Sequence, residues 1–306
     1  MSPEPDGESG AAVRTSSKTG AFPDAATSLL IARQEGRRGY RKIRQQDVWL
    51  ALILVGVLTV VLVLPIVFDV ARDGGEAIAS GDSDAADLVV FAGGGYWLAI
   101  VVLSVIAGVG SNGAPDNPGR MLTVRPPEDV AGGLALGAAA SFSLYVYPPF
   151  AAAALGLSVG VGSPLPLVGA LIVATTVLVT GVSVGFPIGV AIKGAVRRSA
   201  TLSRYKPVLG ALVAVAYFWI ALTGRLFDVL ELIAPAVVNS PPGWLGELAL
   251  LWVPGAEASA LHAVGAVCLA VLVVPVGLLG LGRAAEYAWF ADPADPAEDA
   301  DRKSVV

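Results

Sequence analysis

The sequence predicts an all-α, polytopic membrane protein with six transmembrane helices, and three observations carry that prediction. Hydrophobic residues make up 55% of the 306-residue chain and charged residues only 15%, whereas soluble domains carry about 25% charged residues. The mean hydropathy is +0.71. The apolar residues also come in runs of about twenty, which is the helix length that crosses a bilayer core of about 30 Å.

Both ends of the chain are predicted to be polar tails. Residues 1–30 are rich in Ser, Gly, Pro and acidic residues and predict a disordered segment, and no signal peptide is expected there. Residues 284–306, which contain "ADPADPAEDAD", predict an acidic tail. A basic segment, "ARQEGRRGYRKIRQQ", leads into the first apolar run. The segment is amphipathic, and its cations include Arg37, Arg38, Arg41 and Lys42.

Six apolar runs are long enough to cross a membrane. They are residues 48–70, 88–108, 130–157, 164–192, 207–226 and 260–281. Between the fifth and sixth lie two shorter apolar pieces, 226–238 and 244–253, separated by "NSPPG". Each piece is too short to cross a bilayer, so we expect a pair of re-entrant or interfacial helices. The alternative is an extra hairpin of thin spans.

The basic residues predict the orientation, because cytoplasmic loops retain Lys and Arg. Six spans with a cytoplasmic N-terminus leave only Arg72 and Arg225 of the 20 Lys and Arg on the far side. The loop after the first span is acidic instead; it carries Asp73, Glu76, Asp82, Asp84 and Asp87. We therefore expect a multi-pass protein of the cell membrane with both termini in the cytoplasm, and 31–283 as its membrane domain.

The segment between the second and third spans, "GRMLTVRPPEDVAGG", is cytoplasmic in this topology. Pro126 and Pro127 stop any earlier helix, and proline in a first helical turn loses no hydrogen bond. Glu128 and Asp129 follow in the first turn, where the helix dipole favours negative charge. Two interpretations remain open. The segment is either an ordinary helix cap with positive-inside charges such as Arg125, or a rigid docking surface for a cytoplasmic partner.

Motifs for nucleotide binding and catalysis are missing from the sequence. The nearest match to a phosphate loop, "GVAIKGA" at 189–195, has Ala195 where the phosphate-binding Lys belongs. The Gly-rich pattern at 108–113 follows an apolar span and not a strand, so it does not indicate a dinucleotide site. The single histidine, His262, is expected to be an interfacial polar residue. We therefore expect no catalytic residue, no metal ligand, no cofactor and no nucleic-acid partner.

The fourth span carries a row of small residues. Gly181, Gly185 and Gly189 recur at four-residue spacing, so they share one helix face on which another helix can approach closely. Pro187 on the same helix predicts a kink. The row predicts helix packing, either within this chain or against a second copy or gate.

The order of these parts resembles the membrane subunit, or permease, of type-2 ATP-binding-cassette (ABC) transporters. The resemblance covers about residues 32–283 and rests on the basic N-terminal segment, the six spans and the short helix pair around "NSPPGWLGELALLWVPG". It also rests on "RMLTVRPPEDVAGGLALG", which is similar to the family pattern of Leu-Thr, Pro and a charged pair. The doubled proline departs from the family, which usually has one Pro followed by a small polar residue.

The resemblance implies a division of labour between subunits. Arg125, Pro126, Pro127, Glu128 and Asp129 would form the coupling helix that sits on a separate cytoplasmic ATP-binding subunit, with the amphipathic helix at the membrane surface beside it. A second permease, in a homo- or heterodimer, would complete the path through the lipid bilayer. ATP hydrolysis would belong to the partner, so this chain would not itself be an enzyme, and the expected direction is export.

Two other classes of function stay open from the sequence. A stand-alone secondary transporter or channel would show an inverted repeat or ionisable residues inside the spans, and neither is evident. A membrane-embedded enzyme or a non-transporting scaffold is the third class; the enzyme would need a polar cluster within the membrane. Ser111 and Ser163 are the candidate nucleophiles in Gly-rich contexts. Ser111 would be cytoplasmic and far from His262, whereas Ser163 is on the same side as His262 but at a loop edge with no obvious oxyanion donors.

Overall fold

The computed structural model describes residues 22–44, 49–110, 113–115, 122, 125–199, 205, 208, 210–212, 215, 219 and 222–290. All regular secondary structure within these residues is helical, which confirms the all-α class for them. The helices are α1 (Ala25–Arg44), α2 (Trp49–Ala79), α3 (Ser83–Val109), α4 (Pro127–Gly160), α5 (Leu165–Arg198), α6 (Leu226–Val238), α7 (Trp244–Leu250) and α8 (Ala260–Trp289).

Five of these helices, α2, α3, α4, α5 and α8, are long and apolar enough to cross a membrane. The chain therefore has the helices that a multi-pass membrane protein needs. The predicted fifth span, 207–226, falls largely outside the described residues. The two tails are shorter than the sequence indicated, because residues 25–30 belong to α1 and residues 284–289 to α8.

Contacts between helices fix their relative directions. Successive turns of α3 meet successive turns of α5, from Ile100 beside Gly181 to Gly108 beside Phe186, so these two helices run parallel. The helices α2 and α4 are likewise parallel, and α8 runs parallel to α5, with Ser183 at Gly277 and Gly194 at Tyr287. The bundle thus has two distinct ends. The α1 end holds α1, the start of α4 and the ends of α3, α5 and α8. The α7 end holds α7, the end of α4 and the starts of α3, α5 and α8.

The glycine row of α5 lies against α3. A Cβ on Gly181 would come within 2.7 Å of the Ile100 side chain, and one on Gly185 within 2.7 Å of Ser104 Cβ. Gly189 meets the backbone of Gly108 in the same way. These glycines therefore serve packing within the chain, and α3 already covers the face they form.

The prolines inside α4 leave backbone groups that need other partners. Pro149 has no N–H, so the Tyr145 carbonyl lacks its usual helical donor four residues later. The Tyr96 hydroxyl of α3 donates to that carbonyl at 2.5 Å. The Tyr96 ring also meets the Phe150 ring edge-on at a centroid distance of 5.2 Å. The Tyr96 side chain of α3 thus provides the hydrogen bond that the Tyr145 carbonyl of α4 lacks, and it connects the two helices.

The short helices α6 and α7 pack at the α7 end. Gly93 of α3 and Gly246 of α7 approach so closely that a Cβ on Gly93 would lie 2.8 Å from Gly246 Cα. Gly94 faces Val237 of α6 in the same manner. The helices α6 and α7 begin where the apolar pieces 226–238 and 244–253 begin in the sequence. The helix α7 ends at Leu250, and the residues that follow it form turns.

Candidate functional site

The α1 end contains the segment that the sequence singled out, and the start of α4 organises it. Pro126 occupies the N-cap position of α4 and Pro127 the first helical position. In a capping box, the side chain in the third helical position bonds back to the N-cap N–H. Pro126 has no N–H to offer, so the carboxylate of Asp129, in that third position, is free to bind elsewhere.

Asp129 completes the cap of a different helix. Its Oδ1 accepts the backbone N–H of Asp24, the N-cap residue of α1, at 2.6 Å. The Asp24 carboxylate in turn accepts the Thr27 N–H at 2.9 Å. The Ser28 hydroxyl donates to the Asp129 carbonyl at 3.2 Å in a buried contact. The first turns of α1 and α4 are therefore capped as one unit.

Two glycines of α4 allow α1 to lie directly on it. A Cβ on Gly132 would come within 2.7 Å of Ser28 Oγ, and a Cβ on Gly133 within 2.6 Å of the Ile31 side chain. Ile31 is buried in this contact, as are Val130 and Ala131 of α4. Any larger side chain at either glycine would push α1 away from the bundle.

The Asp24 carboxyl titrates below its ordinary range. Hydrogen bonds from the side chain and the backbone N–H of Thr27 are the main causes that lower the pKa of Asp24 from its ordinary 3.8. The positive charge of Arg125 lowers the pKa slightly further, while desolvation opposes both effects. The charged form of Asp24 is thus the form that the α1 cap favours.

The five residues of the predicted coupling segment do not form one uniform surface. Arg125 and Pro126 are exposed, Pro127 and Glu128 are half-buried, and Asp129 is buried at 7% exposure. Only the first two are therefore open to a partner over most of their surface, while Asp129 holds α1. The preceding residues 116–121 and 123–124, including Arg120, lie outside the described part of the chain.

The basic end of α5 caps the end of α8, which the sequence analysis did not foresee. Arg197 donates to the carbonyl of Ala288 at 3.4 Å, and Arg198 to that of Tyr287 at 3.3 Å. The Arg198 guanidinium also lies 4.0 Å from the centroid of the Tyr287 ring. Last-turn carbonyls lack helical donors and favour nearby cations. Basic residues that indicated a cytoplasmic loop thus also bind one helix to another.

Further contacts join α8 and α5 to the remaining helices at the α1 end. A Cβ on Gly282 of α8 would lie 3.3 Å from the Glu128 Cβ. The Trp289 indole donates to the Gly113 carbonyl at 3.1 Å, and Lys193 donates to the Gly110 carbonyl at 2.7 Å. The turn at 125–129 therefore contacts α1 on one side and α8 on the other.

Three of the four predicted cations of α1 point away from the bundle. Arg37, Arg38 and Arg41 are exposed, and Arg38 pairs with Glu35 at 2.8 Å. Lys42 lies within α1, but its side chain is outside the described part of the structure. The exposed cations leave α1 with a basic outer surface, while Ser28 and Ile31 form its buried contact with α4.

The only histidine belongs to a contact between α7 and α8. The His262 ring stacks on Trp244 with a centroid distance of 5.8 Å and an interplanar angle of 10°. Its Nδ1 lies 3.6 Å from the Glu247 carboxylate, which also accepts the Ser259 N–H at 2.9 Å. Among the described residues no group of three His, Cys, Asp or Glu could hold a metal. Ser111 lies outside them, and the Ser163 hydroxyl accepts the Leu165 N–H.

Comparisons with protein-family models, curated proteins and solved structures found no match for this chain.

Proposed function

We propose that this chain is the membrane-spanning permease subunit of an ATP-driven ABC transporter, an exporter whose ATP hydrolysis takes place on a separate cytoplasmic subunit. One observation carries the proposal. The turn at Arg125 and Pro126 is exposed, while Asp129, Gly132 and Gly133 are buried against α1 and lead directly into a long apolar helix. A protein that docks on this turn would push on α4 and α1 together.

The helix directions support a topology of six spans. Because α5 and α8 run parallel, α5 ends at the α1 end and α8 begins at the α7 end. These two positions favour one more crossing of the bundle by the chain between residues 199 and 259. Its described residues between Tyr205 and Leu222 are helical, and α6 and α7 then lie at the α7 end. This arrangement suits a sixth span followed by a re-entrant or interfacial helix pair.

The charge distribution supports an orientation with the α1 end and both termini in the cytoplasm of a cell membrane. Arg37, Arg125 and Arg198 all lie at the α1 end, whereas Asp82 and Asp84 lie at the start of α3, at the other end. Cytoplasmic loops retain basic residues. The docking turn would then face the compartment that supplies ATP.

The mechanism follows from what the turn contacts. A displacement of Arg125 and Pro126 moves the first turn of α4, which carries Asp129 and with it the cap of α1. Glu128 lies against α8 at Gly282, so the same displacement also moves the end of α8. Helices are stiff along their axes, so α4 would carry the motion through the bundle to its α7 end. A second permease would provide the other wall of the path.

The test is copurification of an ATPase from gently solubilised membranes, comparing the wild type with Arg125→Glu. Arg125 is exposed, so this variant changes the docking surface without removing a buried contact. Arg72→Glu is the control, because it makes the same charge change at an exposed position of the α7 end, where it breaks only the exposed ion pair with Glu76. We expect an ATPase to accompany the wild type and the Arg72 variant and to be lost from the Arg125 variant.

Hydrogen exchange of the α1 amides provides the folding control. Unchanged exchange in Arg125→Glu would show that the loss of the ATPase reflects the docking surface and not a detached α1. If no ATPase accompanies the wild type in any of several detergents, the permease proposal loses its source of energy. The turn would then be only a helix cap, and a channel, a secondary transporter or a scaffold would remain.

A further inference from the structure

An apolar cavity of about 390 Å³ lies inside the bundle, toward the α7 end. Five helices line it: α2, α3, α4, α5 and α7. Its walls include Val70 and Gly74 of α2, Ala92 of α3 and Ala153 of α4. Tyr96 and Phe150, with their edge-on rings, line the part of the cavity toward the middle of the bundle, and Ala249 of α7 lines the part toward the α7 end.

We propose that this cavity holds one hydrocarbon chain of a bilayer lipid. The proposal does not depend on the proposed transport function, because it concerns the environment of the membrane-spanning helices alone. It assigns the cavity a ligand class, a long unbranched apolar chain, and places that ligand between α2 and α3.

The chemistry of the walls excludes water as the ordinary occupant. The lining is almost wholly apolar, and a water molecule needs two to four polar partners to be stable in a buried site. The hydroxyl of Tyr96, the main polar group of the lining, already donates to the Tyr145 carbonyl. A hydrated cavity would therefore leave its waters without hydrogen bonds.

The position of the cavity indicates which molecule occupies it. The lining residues of α2, α3, α4 and α5 belong to helices that cross the membrane, so the medium beside them is lipid. On the α2 and α3 sides the rim is open, since Ile66 is 62% and Leu88 52% exposed. A lipid chain next to the protein can therefore enter sideways without crossing a polar layer.

The shape of the cavity matches a chain better than a compact molecule. The lining runs from Ile66 to Gly74 along α2 and from Ala85 to Tyr96 along α3. At 1.5 Å per residue these stretches cover roughly 12–16 Å along the helix axes. A bilayer lipid keeps its chains along that same direction, so little reorientation is needed.

The helix contacts explain why the cavity stays open. Glycines on both helices hold α2 against α4, where Gly75 packs on Leu157 and Gly160 packs on the backbone of Gly75. The neighbouring face of α2 is left without a close partner, and a Cβ on Gly74 would meet no atom within 4 Å. Side chains from α3 therefore do not fill the space, and an outside group must.

The experiment uses photochemical labelling in nanodiscs of phosphatidylcholine that contain a small fraction of phosphatidylcholine with a diazirine on its acyl chain. Peptide mass spectrometry then maps the labelled residues. In the wild type we expect label on the inner walls, at Phe150 and Ala153, in addition to the lipid-facing residues Val61 and Leu272, which are exposed. The lipid-facing residues report how much label was available.

Gly74→Phe is the cavity-filling variant and Gly95→Phe its control. A Cβ at either glycine meets nothing within 4 Å, but only Gly74 lines the cavity. We expect the inner-wall label to be lost in Gly74→Phe and retained in Gly95→Phe, with equal label on Val61 and Leu272. Ala92→Trp fills the cavity from the α3 side and should give the same loss if Gly74→Phe does not fold.

Three outcomes would overturn the proposal. The first is a wild type whose inner walls carry no label while its lipid-facing residues are labelled. The second is inner-wall label that survives both cavity-filling variants, which would assign the label to another route. The third is strong inner-wall labelling by a small water-soluble diazirine, which would show that the cavity is hydrated.

Discussion

The contact between Asp129 and the N-cap of α1 makes a quantitative prediction. Asp129→Ala removes the acceptor of the Asp24 N–H, a hydrogen bond of 2.6 Å. Hydrogen bonds to charged groups contribute about 1.5–3 kcal/mol. Asp24 itself is exposed, so water can replace part of the lost contact, and we take the lower limit. A loss of about 1.5 kcal/mol corresponds to a roughly tenfold change in the equilibrium for detachment of α1, since about 1.4 kcal/mol is a factor of ten.

The assay is hydrogen–deuterium exchange of the amides in the first two turns of α1, in nanodiscs. We expect roughly tenfold faster exchange in Asp129→Ala, because exchange from local opening tracks the opening equilibrium. Asp129→Asn retains a side-chain acceptor and should show a smaller increase. Glu128→Ala, one position earlier and with no part in the α1 cap, should leave the exchange unchanged.

The reasoning fails if Asp129→Ala exchanges like the wild type. In that case the hydrophobic contact of Ile31 with α4 would hold α1 alone, and the hydrogen bond would be incidental. It also fails if Glu128→Ala accelerates exchange as much as Asp129→Ala, since the effect would then come from the charge of the α4 turn and not from the bond to Asp24.

Three further predictions concern the same packing. Gly133→Leu should detach α1 and raise its exchange, because the new side chain meets α1 directly, whereas Gly137→Leu, one turn later with open space around it, should not. Lowering the pH should loosen α1 below about pH 4. The pKa of the Asp24 carboxyl is lowered in the folded protein, so the carboxylate stabilises α1 above the unfolded pKa, and this contribution is lost as the pH falls through the folded pKa. Asp24→Asn should remove this acid step. Gly185→Leu should lower the thermal midpoint, since overpacking costs about 1–3 kcal/mol or more, while Gly280→Leu, with nothing within 4 Å, should be tolerated.

Several parts of the candidate site were visible in the sequence, and for physical reasons. Proline in the first turn and acids just after it mark a helix start wherever they occur, and α4 begins at Pro127 as that pattern requires. The four-residue spacing of Gly181, Gly185 and Gly189 likewise placed them on one face. The spacing alone could not identify α3 as their neighbour, because any helix can use such a face.

Other parts of the site could not have been found in one sequence. The bond from Asp24 to Asp129 joins residues 105 positions apart, and the bonds from Arg197 and Arg198 to the end of α8 join residues about as distant. Local patterns assign such residues to caps and loops. Local patterns do not show which distant helix end will bind the same side chain.

Sequence alone determined the class of this protein and the positions of most of its helices, because a bilayer demands long apolar runs and every helix must satisfy its own backbone within the membrane. Only the tertiary structure decided which helices touch, that Asp129 is buried while Arg125 is exposed, and that a cavity separates α2 from α3. Those features depend on close approach between distant segments. Approach of that kind depends on the shapes of both surfaces together, and a pattern along one segment describes only one of them.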